Sequence, residues 1–332
     1  MPQVWFTRLL FAASLLAFIL ILMGSYLRLS DAGLGCPDFP GCHGRLFPAD
    51  SDSVVNSEHP YDVARAWSAM IHRYLAVVFS IFVAMLVIIA ERMKNAPRYS
   101  TQLRLALLLT LLQGWLGYLT ISMLLHPAIV TLHLLTAMLI LSLLWSVYLN
   151  AVSKGAIYCE RLPGMNLRPW TIIAFILVCL QIVLGGFTSS NYASLACPDL
   201  PTCQQQWLPA FDFSGIYELL SQENGSYQGG QLNNQQSITV HLLHRYGAVL
   251  TFVYVAFLSF LAIRKKAALY RNAALWLAFV LILQMQLGIA DILLLLPLPV
   301  AIAHTGGAAL LLLSLVYLHH LIRRSKVSIY TH

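Results

Sequence analysis

The chain has 332 residues, 59% of them hydrophobic and only 10% charged, with a formal net charge of +7. A soluble domain carries roughly 25% charged residues, so the composition excludes an ordinary water-soluble globule and implies a membrane protein. The basic residues form short loop clusters rather than a continuous patch, which speaks against nucleic acid as a partner and reads as a topology signal.

Apolar runs of about 18 or more residues can each cross a bilayer. Eight are predicted, at 6–27, 67–90, 103–124, 128–149, 170–188, 240–263, 272–294 and 299–322. The first is expected to stay as a span rather than be cleaved. Its apolar core outlasts a signal h-region, and it runs into "GSYLRLSDAG" without a small-residue cleavage site. Between spans, "ERMKNAPRYSTQLR", "SKGAIYCERLPGMNLR", "RKKAALYR" and the tail "RRSK" are basic and fall on one side, whereas the loop 189–239 has no lysine or arginine. The positive-inside bias therefore predicts both termini in the cytoplasm and the cysteine loops outside, in a bacterial-type inner membrane.

The loop after the first span reads "AGLGCPDFPGC" at 32–42, and the loop after the fifth reads "ASLACPDLPTC" at 193–203. The second span carries "IHRYLAVVF" and the sixth "LHRYGAVLTF". "QGWLGYLTISMLLHPAIVTLHL" aligns with "QMQLGIADILLLLPLPVAIAHT", so that Gln113, Gly117 and His133 meet Gln284, Gly288 and His304. This is an internal duplication of four spans. Copies with an even number of spans share one orientation, which implies a pseudo-two-fold axis along the membrane normal. The predicted fold is all-α: an integral membrane protein of eight helices in two tandem four-helix bundles, 1–150 and 151–332. Gly24, Gly114, Gly117, Gly185, Gly186 and Gly288 suit close helix packing, or leave room for a flat ligand. The Gly/Gln/Asn-rich "SQENGSYQGGQLNNQQS" reads as a flexible insertion without chemistry.

Four histidines lie inside spans at matching places: His72 and His133 in the first half, His244 and His304 in the second. His72 falls about 8 Å below the outer end of its span, and His133 lies near the same level. Two imidazoles at one depth on facing helices suit axial ligation of haem iron in a bundle core. Zinc fits less well, because it needs three or four protein ligands. A proton relay would not require level pairs. Hydrogen-bonded core histidines are the plain alternative, though ionisable groups inside a membrane are uncommon and usually functional. Arg73 and Arg245 follow by one residue, about 100° around the helix, and aim away from the iron towards a propionate or a loop carbonyl. His241 stands one turn outward of His244, against a haem edge or a loop. His319 and His320 are expected to be solvated.

Cys159 and Cys179 lie alone. Cys36 with Cys42, and Cys197 with Cys203, form close pairs in outer loops, where disulfides persist. They read either as structural staples across tight turns or, at one pair, as redox-active.

Taken together, "GLGCPDFPGCHG", "MIHRY", "TLHL", "ACPDLPTC", "LLHRY" and "IAHTGG" make the chain resemble the heme A synthase family over about residues 5 to 322. The resemblance implies oxidation of the C8 methyl of heme O to the formyl group of heme A, for cytochrome oxidase assembly. It implies a substrate haem between His72 and His133 in residues 1–150, and a haem b held by His244 and His304 in residues 151–332. It also implies two disulfides, Cys36–Cys42 beside the active site as a route for electrons and Cys197–Cys203. Heme O synthase, cytochrome oxidase assembly factors and the lipid bilayer are the implied partners, and a homo-oligomer is compatible. One position departs. The family carries a glutamate three residues before the first-half histidine, and here that place is Ala69. A carboxylate there can move a proton and alanine cannot, which leaves Glu58 or Asp62 as substitutes, or haem binding without the oxidation. The alternatives from other classes are a two-haem b-type electron-transfer protein and a haem-binding or transport protein.

Overall fold

The computed structural model describes residues 2–48, 62–93, 97–153, 157–158, 166–215, 225–265 and 268–326. Among these are eight helices long and apolar enough to cross a membrane. They are α1 (Pro2–Leu29), α2 (Val63–Arg92), α3 (Pro97–Ser122), α4 (Pro127–Val152), α5 (Arg168–Ser190), α6 (Asn234–Ile263), α7 (Ala268–Leu293) and α8 (Leu298–Arg324). The chain is a multi-pass membrane protein. The extended structure described is one parallel pairing of two residues, β1 (Ile157–Tyr158) with β2 (Ser325–Lys326).

Several helices start earlier than their apolar runs. α2 begins at Val63 because the Asp62 carboxylate accepts from the amides of Ala64 and Arg65 at 2.9 and 3.1 Å. α6 begins at Asn234 behind a reciprocal capping box between Asn233 and Gln236. Such caps satisfy helix-end amides in water, so a polar first turn extends beyond the apolar stretch. α4 starts at Pro127, with His126 as its cap.

Contacts close two rings: α1–α2–α3–α4 and back to α1, then α5–α6–α7–α8 and back to α5. The rings meet where α1 packs on α8, α4 on α5, and α4 on α8. One apolar core runs through both, with Leu10, Leu86, Leu103, Leu144, Leu258 and Leu277 fully buried. Most of it lies towards the end that holds the N-terminus of α1. The opposite end, where α1 finishes and α2 begins, is left for polar groups.

Three expectations change. His320 is buried, with its Nε2 2.9 Å from Ser153 Oγ, and His319 Nδ1 lies 2.8 Å from Thr171 Oγ1. These rings tie the end of α8 to α4 and α5, where hydropathy suggested free water contact. Part of the Gly/Gln/Asn-rich loop is packed rather than loose. Tyr227 is buried, its ring meets His126 edge-on at 4.8 Å, and its amide donates to the Leu124 carbonyl at 3.1 Å. Glu58, His59 and Cys159 lie outside the described residues.

Candidate haem site

The two cysteine loops are built alike. Cys36–Cys42 and Cys197–Cys203 are both disulfides, each closing a loop of the same length. In the first, Cys42 and Arg45 exchange main-chain hydrogen bonds, and in the second Cys203 and Gln206 do so. The aspartate of each Cys-Pro-Asp motif ties the turn. Asp38 accepts from the amides of His43 and Gly44, and Asp199 from those of Gln204 and Gln205. Partial burial works against the Asp38 carboxylate, but the Gly44 and His43 amides outweigh it and hold its pKa below the ordinary value. The Thr202 hydroxyl, with the Gln205 and Gln204 amides, brings Asp199 down to about 2.

An arginine clasps each loop to the helix below it. Arg73 donates to the main-chain carbonyls of Cys36 (2.8 Å), Asp38 (2.7 Å) and Gly41. Arg245 donates to those of Cys197, Asp199 (3.0 Å) and Thr202 (2.9 Å). Of the two expectations for these arginines, loop carbonyls are where the guanidinium groups point. A planar fork with several donors is well shaped to gather converging carbonyls.

Beneath each clasp lies a pair of histidines. His72 is about 14 Å from the start of α2 at Val63, and His133 about 9 Å from the start of α4 at Pro127. The offsets differ because α2 begins a turn above its apolar run. The two imidazoles are close enough to influence each other electrostatically, as are those of His244 and His304.

Each ring faces a glycine on the preceding helix. A Cβ added at Gly24 would lie 3.6 Å from His72 Cε1, and at Gly117 3.4 Å from His133 Cε1. At Gly185 it would lie 2.8 Å from His244 Cε1, and at Gly288 2.9 Å from His304 Cε1. Spacing alone suggested close helix packing for these glycines. What they admit is an imidazole. Gly186 does serve packing, against Thr131 and Leu134, and Gly114 faces open space.

The buried Nδ1 atoms of His72, His133 and His304 have no hydrogen-bond partner. An unpaired buried polar atom is costly, and a glycine-backed ring with an unpaired nitrogen is chemically suited to hold a haem iron. Among the described residues no three His, Cys, Asp or Glu side chains gather as for a bare metal ion.

The surroundings of Ala69 and His241 differ. Ala69 is buried against the Cys36–Cys42 disulfide with Ala66 and Met70. His241 has both ring nitrogens engaged: Nδ1 lies 2.9 Å from the Ala193 carbonyl, and Nε2 accepts from Arg245 Nε at 2.9 Å. Of the acids proposed to stand in for a glutamate at Ala69, Asp62 is occupied as the α2 cap and pairs with Arg65 at 3.3 Å. Sequence reasoning missed Gln181, whose amide nitrogen donates to the His244 carbonyl at 2.8 Å and lies 2.9 Å from its Nδ1. The available signal was its place four residues before Gly185, as Gln284 stands before Gly288.

Residues 7–316 match the COX15-CtaA family, described as cytochrome oxidase assembly protein. A heme A synthase of Shewanella oneidensis is 36% identical over 330 residues, covering 96% of each chain. A heme A synthase of Granulibacter bethesdensis is 26% identical over 341 residues, 95% of this chain and 86% of the relative. One of Wolbachia pipientis is 25% identical over 320 residues, 89% and 91% of the two chains.

Proposed function

The chain belongs to the COX15-CtaA family, and from that membership we propose that it oxidises the C8 methyl of heme O to the formyl group of heme A. The observation that carries this reading is the doubled arrangement of a glycine-backed histidine pair under an arginine-clasped disulfide loop. Residues 1–150 are the substrate half, with His72 and His133 flanking heme O. Residues 151–332 are the haem b half, in which His244 and His304 would hold the iron. A pseudo-two-fold relation between the halves is supported by the packing. Exchanging α1 with α5 and α4 with α8 turns the α1–α8 contact into the α5–α4 contact and leaves α4–α8 unchanged.

Bound haem supplies the redox-active iron; the chain supplies position and shielding. The glycines let the imidazoles approach, and the surrounding helices exclude bulk water from the rings. Arg73 and Arg245 keep the cysteine loops seated over the two sites. The Cys36–Cys42 disulfide lies between Ala69 and the outer face, placed to accept electrons and pass them outward as a dithiol. Both termini lie in the cytoplasm and the cysteine loops outside, as the basic loops require. Heme O synthase is the natural source of substrate, and cytochrome oxidase assembly the destination of product.

Ala69 sets a limit on turnover. Among the described residues no carboxylate stands one turn from His72, and Asp38 and Asp62 are each tied to a local turn or cap. This favours a second reading, haem binding without oxidation. Both histidine pairs lie at one end of the bundle, which disfavours a carrier that moves electrons across the membrane. The deciding experiment supplies heme O and a reductant to purified protein and extracts the haems. Hydroxylated heme O or heme A is expected, with a higher yield from Ala69→Glu. No product from either protein under any donor would sink the oxidation and leave the binding role.

A further inference from the structure

The two sites hold their histidines with unequal firmness. In the second, a Cβ on Gly185 or Gly288 would press into the ring at 2.8 or 2.9 Å, whereas in the first the same test leaves ordinary contact at 3.6 and 3.4 Å. The second site also has an amide against each ligand ring. Gln181 Nε2 lies 2.9 Å from His244 Nδ1 and donates to the His244 carbonyl at 2.8 Å; Gln284 Nε2 lies 3.4 Å from His304 Nε2. Each amide sits in a notch that glycine makes. A Cβ on Gly247 would fall 2.3 Å from Gln181 Oε1, and one on Gly307 2.2 Å from Gln284 Oε1.

The first site lacks these sockets. Four residues before Gly24, where Gln181 stands before Gly185, is Leu20. Three after His72, where Gly247 stands after His244, is Leu75, and three after His133 is Thr136 where His304 has Gly307. Gln113 is present and its buried Oε1 has no partner, which is equally true of Gln181 and Gln284; what differs is that, among the described hydrogen bonds, only Gln181 and Gln284 turn an amide nitrogen towards the histidine ring.

We infer that Gln181 in the Gly247 notch and Gln284 in the Gly307 notch are positioning residues for the second site's histidines, and that they make this site retain its haem while the first exchanges. The inference rests on the haem reading above. The Gln181 amide nitrogen is held by two acceptors of one residue, the His244 carbonyl and its ring, which ties the imidazole to its own backbone. Fixing the ring before the ligand arrives removes a freedom that would otherwise be lost on binding, and partners of ligating histidines are typically worth about 10–100-fold in affinity.

The test uses full-length protein loaded with haem b. Gln181→Met keeps the side chain's length and removes its hydrogen bonds. Haem transfer to excess apomyoglobin is followed together with the electron paramagnetic resonance of the ferric low-spin centre. Release from the second site is expected to be about tenfold faster in the variant, with shifted low-spin g-values and no change in release from the first site. Gln284→Met, removing the longer contact, gives a smaller change in the same direction and serves if the first variant misfolds. Wild-type spectra and release rates in both variants overturn the inference alone. A wild-type protein with no bis-histidine low-spin signal overturns the haem reading, and this inference with it.

Discussion

Ala69 on α2 and His241 on α6 stand at matching places, each three residues before a histidine that is followed by an arginine. Ala69 packs against a disulfide and offers no proton, while His241 bridges Ala193 and Arg245 through both nitrogens. His241 is therefore a structural strut with no nitrogen left for chemistry. The second site is braced at every point where the first is slack: at the ring-facing glycines, at the glutamines and beneath the arginine.

The largest test of this contrast is removal of a ligand. His244→Ala should abolish the low-spin haem signal of the second site in redox-difference spectra, whereas His72→Ala should leave it in place. Retention of that signal in His244→Ala would reject the ligand assignment. Next come the clasps. Arg245→Ala leaves several carbonyls and the His241 ring without a donor, and should cost about 2–4 kcal/mol in thermal or denaturant unfolding. Arg73→Ala should cost less, because it has no histidine strut to lose, and lysine should rescue neither, having no planar fork. An equal cost for the two arginines would remove His241 from the bracing.

Glycine substitutions divide the halves more finely. Gly185→Ala should destabilise by about 1–3 kcal/mol through overpacking and weaken haem retention. Gly24→Ala, with its Cβ at 3.6 Å, should be neutral or slightly stabilising. Similar losses at both would show that the slack in the first site is illusory.

The smallest effect is acid resistance of the cysteine loops. Both aspartates have lowered pKa values in the folded chain, so their contribution is present above the unfolded value near 3.8 and is lost as pH falls through the folded one. For Asp199 that window runs from near 4 down to about 2. Thr202 helps Asp199, whereas the matching position after Asp38 is Gly41. On acidification, amide exchange at His43 and Gly44 should therefore accelerate before exchange at Gln204 and Gln205.

The eight spans and the cysteine pairing were legible because hydropathy and repetition report span order directly. The helix starts at Val63 and Asn234 were not, since capping extends a helix past its apolar stretch. Gly24 and Gly185 were noticed, but a periodic pattern cannot say that the facing atom is an imidazole carbon. Gln181 escaped because its first-half counterpart is Leu20, so self-comparison passed over it. His320 looked solvated because a terminal position near basic residues hides a single buried hydrogen bond. Tyr227 was masked by its polar neighbours, although one aromatic ring suffices to anchor a loop.

That anchor has a consequence for biosynthesis. Tyr227 belongs to the loop between α5 and α6, yet it seats on His126, the cap of the helix that carries His133. α1 to α4 leave the ribosome before Tyr227 is made. The His126 end of α4 therefore reaches its finished form only after a fifth span and the loop that follows it have been made. Maturation of the first four helices thus waits on synthesis of the rest, and separately expressed halves would have to find this contact between two chains.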